Sequence, residues 1–138
     1  MRFISLVKSS EGMAGMPPKA FLDAMDQLVQ EAGKAGCVMV EGIGLHPTSA
    51  GARVRLSEGK VTVMDGPFTE AKEVLGGYWM IQVNSRQEAI EWASRCPASE
   101  NEIIEIRQVQ EMADFPEDVQ KAAAGLADMQ AEVGQRKA

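Results

Sequence analysis

Two residues near the ends of predicted strands, His46 and Asp65, offer the most useful chemistry in this sequence. Histidine is the residue type whose ordinary pKa lies nearest neutrality, and the chain has one. If the two strands are neighbours, the Asp65 carboxylate would orient and charge the imidazole for general acid–base catalysis. The structural alternative is that Asp65 fixes its own turn by accepting hydrogen bonds from backbone N–H groups one or two residues further on, and that His46 caps a strand.

A second group of residues is suited to binding a small polar or anionic molecule. Arg53 and Arg55 fall on one face of a predicted strand, and Arg107 falls on the last strand. Guanidinium groups form paired hydrogen bonds with carboxylates, and the hydroxyl of Tyr78 could add one more. The alternatives are a solvated hairpin face for the arginines and a core position for Tyr78.

Hydrophobic periodicity predicts the elements that must position these residues. A forced bend, Asp65-Gly66-Pro67-Phe68, separates one alternating strand from an apolar one, and Gly76-Gly77 opens that apolar run. Ser85 and Glu88 form a capping box at the start of a helix, and Glu58-Gly59 marks a hairpin turn. The predicted elements are a strand at 3–7, a helix from Pro17-Pro18 to Gly36, strands at 37–40, 53–56, 60–64 and 78–83, a helix from Ser85 to before Pro97, and a strand at 103–109.

This order predicts an α+β fold. Two split β-α-β units give a ferredoxin-like antiparallel sheet with two helices on one face, and residues 53–64 form a β-hairpin insertion. The strand at 78–83 is apolar on both faces, so the face without helices must also be buried.

The stretch Val63-Met-Asp-Gly-Pro-Phe-Thr-Glu-Ala-Lys-Glu-Val-Leu-Gly-Gly-Tyr-Trp-Met-Ile81 resembles the DGPF-domain proteins of the YCII-related superfamily. The segments "GIGLHPTSAGARVR" and "SRQEAIEWA" are similar to the family as well. The resemblance implies a dimeric α/β barrel, and therefore a homodimer in which a second copy covers the free sheet face. It leaves the activity open, between acid–base chemistry like that of a lactone isomerase or dehalogenase and a regulatory role beside an alternative sigma factor.

Composition changes near the end of the chain. We predict a YCII-related DGPF domain over residues 1–110 and a helical extension over 111–138, with one helix from about Glu117 to Gln135. That helix packs on the partner subunit or on its own domain, or remains a free tail, and it is a candidate surface for a protein partner.

The net charge of −6 argues against a nucleic-acid partner, and no apolar run is long enough to cross a membrane. Cys37 and Cys96 lie far apart in apolar segments, which is typical of reduced thiols in a cytoplasmic protein. With a single histidine, a zinc site would have to be built almost entirely from carboxylates, so we predict no metal. Gly42-x-Gly44 lacks the third glycine of a dinucleotide fingerprint, so we predict no cofactor.

Two functions therefore remain from the sequence alone. In the first, the protein binds a small molecule in a cleft near Asp65 and His46, with or without turnover. In the second, it is a non-enzymatic regulatory or interaction module that uses its acidic surface and C-terminal helix.

Overall fold

A computed structural model describes residues 1–9, 17–68, 73–98 and 102–125. Two short 3-10 turns, at Thr48–Ala50 and Met112–Asp114, and helical residues 117–125 complete the secondary structure of these ranges. The main elements are β1 (Arg2–Ser9), α1 (Lys19–Lys34), β2 (Val38–Gly44), β3 (Ala52–Ser57), β4 (Lys60–Asp65), β5 (Val74–Gln82), α2 (Arg86–Ser94) and β6 (Ile103–Gln108).

The main sheet has the strand order β2-β5-β1-β6, and all of its neighbours are antiparallel. The two central strands, β1 and β5, are separated in sequence by α1, β2 and the hairpin, as two interleaved β-α-β units require. The predicted ferredoxin-like α+β fold is confirmed.

One face of the sheet carries the core. Phe3 opposes Ile81, and both pack with helix residues Ala32, Ala89 and Ala93. These contacts place both helices on the same face of the sheet. The predicted burial of Cys37 is also confirmed, since its side chain lies in this core.

The hairpin of β3 and β4 forms a separate two-stranded sheet, which we call the hairpin arm (residues 52–65). Its turn residues Glu58 and Gly59 both have positive φ, at 51° and 75°. Two consecutive positive φ angles are typical of a type I′ turn, whose twist matches that of the flanking strands. Every residue of both strands is exposed to solvent.

The other face of the main sheet, which we call the open face, holds Ile4, Leu6, Tyr78 and Met80 at its centre. All four side chains are half-buried. The prediction that the strand at 78–83 is apolar on both sides therefore holds for the single chain, and the homodimer that would cover the open face remains a prediction.

Two strands extend well beyond their predicted bounds. β2 continues through Gly42 to Gly44, and β5 begins at Val74, before Gly76-Gly77, because these segments pair with each other. The predicted capping box of α2 forms in part: Ser85 accepts from the Glu88 N–H at 3.1 Å, whereas the Glu88 carboxylate accepts from the N–H of Asn84. The predicted C-terminal helix is present at 117–125, and its remainder lies outside the described residues.

None of the helices within the described ranges is both long enough and apolar enough to cross a membrane.

Candidate functional site

His46 and Asp65 stand at the two ends of the segment that forms the hairpin arm. His46 comes two residues after the end of β2, and Asp65 is the last residue of β4. Both are exposed, and neither side chain makes a hydrogen bond or ion pair within the described parts of the chain. The His46–Asp65 pair stays a prediction, because no contact between these two side chains is present.

The loops beside these residues pack tightly against each other. Gly66 donates its N–H to the carbonyl of Gly51 at 2.9 Å, and Phe68 donates to the hydroxyl of Thr48 at 3.0 Å. The Gly66–Pro67 peptide bond is cis. We call residues 47–51 and 65–68 the loop pair.

These hydrogen bonds argue against the structural alternative for Asp65. In that alternative, its carboxylate accepts from the next backbone N–H groups. The Gly66 N–H is bound to Gly51 instead, and Pro67 has no N–H to donate. Asp65 is therefore not needed to hold this turn, which leaves its carboxylate available to solvent or a ligand.

The four predicted ligand-binding residues lie on two separate surfaces. Arg53 belongs to the hairpin arm, where its guanidinium lies 4.0 Å from the ring centroid of the buried Phe68, and Arg55 follows on the same face of that arm. Tyr78 and Arg107 belong to the open face, on strands that β1 separates. The four residues therefore form two distinct surfaces rather than one arginine-lined cleft.

On the open face, ionisable groups are already paired. The Tyr78 hydroxyl donates to the Glu41 carboxylate at 3.2 Å. Burial raises the pKa of Tyr78, and the Glu41 carboxylate raises it further. Lys8 binds Glu105, and this hydrogen bond lowers the pKa of Glu105, with Arg107 adding a smaller effect in the same direction.

A concave site lies elsewhere in the described chain, between α1 and the helix-covered face of the sheet. This α1 cavity has a volume of about 610 Å³. Helix α1 contributes Phe21, Leu22, Met25 and Val29 to its wall. These residues recur at helical spacing, so one side of α1 forms a continuous apolar wall.

Glycines on two paired strands leave room for this cavity. Gly42, Gly44, Gly76 and Gly77 all line it. Gly77 is required by the backbone, because a Cβ there would lie 2.8 Å from the carbonyl oxygen of Ile43. Gly44 differs, since a Cβ there would have no heavy atom within 4 Å. The sequence analysis missed this cavity; the signal was the pair of glycine clusters on predicted strands opposite an apolar helix face.

Cys96 contributes a thiol to the same cavity. Its sulfur lies 3.5 Å from the Met25 sulfur, and burial raises its pKa to about 11, with a further contribution from the Glu102 carboxylate. A thiol with a raised pKa is a poor nucleophile near neutral pH. Cys96 is therefore part of the cavity wall rather than a reactive group.

The cavity wall is also close in sequence to the loop pair. Leu45 lines it, donates its N–H to Gly76 at 2.9 Å, and immediately precedes His46. His46 is therefore adjacent in sequence to the cavity wall.

Comparison with known proteins shows what this chain is similar to. A family model described as "YCII-related domain" matches residues 1–113. An uncharacterized protein of Rhizobium meliloti (strain 1021) is 44% identical over 72 residues, which cover 52% of this chain and 55% of that protein. The chain thus matches about half the length of this curated relative.

Proposed function

We propose that this chain, which belongs to the YCII-related domain family, binds a small and largely apolar organic molecule in the α1 cavity. The observation that carries the proposal is the cavity itself, whose volume of about 610 Å³ falls in the range typical of small-molecule sites. Such sites combine an apolar wall with a few polar groups, and this wall has that character.

The wall favours an uncharged ligand. Its aromatic and aliphatic part includes Phe21, Val29 and Trp79, and its polar side chains include Ser9 and Glu102. No arginine or lysine is among the described residues that line it. An anion would lose its hydration there without gaining a cationic partner, so the body of the ligand is expected to be a ring or a branched chain with one hydrogen-bonding group.

A polar or anionic group of the ligand would instead be placed near the loop pair. His46 adjoins Leu45 of the cavity wall, and the carboxylate of Asp65 is not used by its own turn. Acid–base chemistry like that of a lactone isomerase or dehalogenase would use these two residues, with Asp65 charging the imidazole. The test of that step is Asp65→Asn, which would remove turnover while leaving unfolding unchanged.

Binding in the cavity can be measured with N-phenyl-1-naphthylamine, an uncharged aromatic probe whose fluorescence rises in apolar sites. We expect saturable binding to the wild-type protein. Gly44→Leu would place a side chain where a Cβ meets no neighbour, and we expect it to weaken probe binding by at least tenfold.

The matched control is Gly33→Leu. Gly33 lies on α1 outside the cavity wall, and its Cβ would also meet no heavy atom within 4 Å. This change adds the same apolar side chain elsewhere, so probe binding should be unchanged. Equal loss in both variants, or no loss in either, would contradict binding in the α1 cavity.

A regulatory or interaction module, for example a partner of an alternative sigma factor, is the second candidate. One observation favours it: Met112 and Val119 of the C-terminal extension are 43% and 41% exposed, although both are large and apolar. Deleting residues 112–138 should then abolish capture of the partner while leaving probe binding in the α1 cavity intact. Loss of both would point instead to a structural role for the extension.

A further inference from the structure

The hairpin arm has an apolar surface that the rest of the described chain does not cover. Val54 pairs with Val63, and Leu56 pairs with Val61, so these four side chains lie on one face of the arm. Their exposed fractions are 69%, 62%, 72% and 65% in that order. We call them the aliphatic face.

An arm of this kind needs a covering surface. An isolated two-stranded hairpin is at best marginally stable in water, and β3 and β4 pair only with each other. The opposite face of the arm is anchored at its base, where Arg53 lies over Phe68. The aliphatic face has no comparable contact, although four clustered aliphatic side chains would gain most from burial.

Charge favours an acidic partner. Residues 52–65 hold three basic side chains (Arg53, Arg55 and Lys60) and two acidic ones (Glu58 and Asp65), which gives a net charge of +1. The whole chain has a net charge of −6, so the remainder has −7, from −6 minus +1. A basic arm on an acidic body is complementary to a second copy of the same chain.

A matching apolar surface exists on the edge strand β2. Val38, Val40 and Ile43 are 54%, 48% and 40% exposed. Val38 and Ile43 oppose Gln82 and Tyr78 of β5, which places them at the margin of the open face. Val40 lies at a β-bulge without a register partner, so we call Val38 and Ile43 the β2 margin.

The areas involved also fit an exchange of arms. Six residues at about 3.3 Å each make a strand about 20 Å long, so a two-stranded arm presents about 200 Å² on one face and the four-stranded open face about 400 Å². A stable dimer buries about 800 Å² per partner. Contact between two open faces alone would bury well under this area per partner. Contacts made by the arms would add to the buried area.

We propose that the hairpin arm reaches across to a second copy of the chain and packs its aliphatic face against that copy's β2 margin. Two-fold symmetry then places both arms in equivalent contacts. The arm becomes an element that selects this chain as its own partner.

Paired cysteines test the contact directly. In Val63→Cys/Ile43→Cys the new thiols lie on the aliphatic face and the β2 margin, whereas in the control Thr62→Cys/Ile43→Cys the arm thiol lies on the opposite face of β4. We expect the first variant to form a disulfide-linked dimer at least tenfold faster than the control. Mass spectrometry of mixed ¹⁴N and ¹⁵N chains would then show links between differently labelled chains.

Sedimentation measures the energetic role of the same contact. Val54→Asp/Leu56→Asp should raise the dimer dissociation constant at least tenfold, and Arg55→Lys, which keeps the charge on the other face of β3, should change it less than threefold. Monomeric wild-type protein at micromolar concentration, links confined to single chains, or equal cross-linking of both cysteine variants would overturn the proposal. If the aspartate variant does not fold, the cross-linking result decides alone.

Discussion

At the scale of single residues, close contact between two backbone segments determines the conformation of the loop pair. The Asp65 carboxylate, which is prominent in the sequence, does not. Gly66 does not have a positive φ. Its constraint is contact, because a Cβ there would lie 1.7 Å from the carbonyl oxygen of Thr48. The sequence indicated a glycine-dependent bend, but the facing residue belongs to a loop 18 positions earlier, and no local pattern contains that information.

Gly66→Ala should therefore destabilise the protein by about 2 kcal/mol or more, the range found for overpacked sites. Urea unfolding followed by tryptophan fluorescence measures this change. Gly33→Ala is the control, because its Cβ has free space within a helix, and it should stabilise by about 0.5–1 kcal/mol. A Gly66→Ala protein as stable as the wild type would mean that the loop pair is not packed as described.

The Cys96 thiol makes a prediction about pH. Burial raises its pKa from 9.0 to about 11, so the folded protein keeps this thiol protonated where the unfolded chain has lost the proton. The folded state is thus disfavoured progressively as pH rises from about 9 to about 11. The alkylation rate of Cys96 by iodoacetamide should keep increasing toward pH 11, with Cys96→Ser giving the background from Cys37.

A rate that instead reaches its plateau near pH 9 would show that Cys96 is solvated and does not line the cavity. Saturating N-phenyl-1-naphthylamine offers a second comparison. It should slow alkylation of Cys96, because the probe and the thiol share the α1 cavity.

At the scale of elements, sequence periodicity was sufficient to predict the strands and helices. It was not sufficient to predict the α1 cavity between α1 and the sheet. Alternation and capping signals predicted the six strands and both helices, because each depends on neighbours close in sequence. The volume of the α1 cavity depends on the distance between α1 and the sheet, on which Gly44 and Gly77 line the cavity. That distance is set by tertiary packing, so residues such as Met25 and Cys96 appeared in the sequence only as core.

The N-terminus of α2 gives a prediction at this scale. Ser85→Ala removes the hydroxyl that accepts from the Glu88 N–H, and the expected loss is about 1 kcal/mol. Ser5→Ala is a matched control, because the Ser5 hydroxyl is fully buried and has no hydrogen-bond partner among the described residues. Removing it should cost nothing or stabilise the protein slightly. Equal losses in the two variants, measured by urea unfolding, would contradict the role of Ser85 as a cap.

At the scale of the whole molecule, an ion pair among the described residues links the domain to its extension. The Arg2 guanidinium binds the Glu111 carboxylate through two hydrogen bonds of 2.7 Å. This pairing lowers the pKa of Glu111. The family match spans residues 1–113, and the domain boundary at 110 stays a prediction. Hydrogen bonds of residues 115–125, as far as the chain is described, stay within the extension.

Two truncations separate the contribution of the ion pair from that of the extension. A chain ending at Asp114 keeps the Arg2–Glu111 pair, and one ending at Gln110 loses it. Both should unfold cooperatively and bind N-phenyl-1-naphthylamine, because no described residue of the cavity wall lies beyond Ile104. The shorter chain should be only slightly less stable, because both side chains of the pair are partly exposed. That difference should shrink in 1 M salt, where screening weakens ion pairs.

A non-cooperative transition in the chain ending at Asp114 would instead make residues 115–138 part of the folded core, and the domain boundary would have to move accordingly.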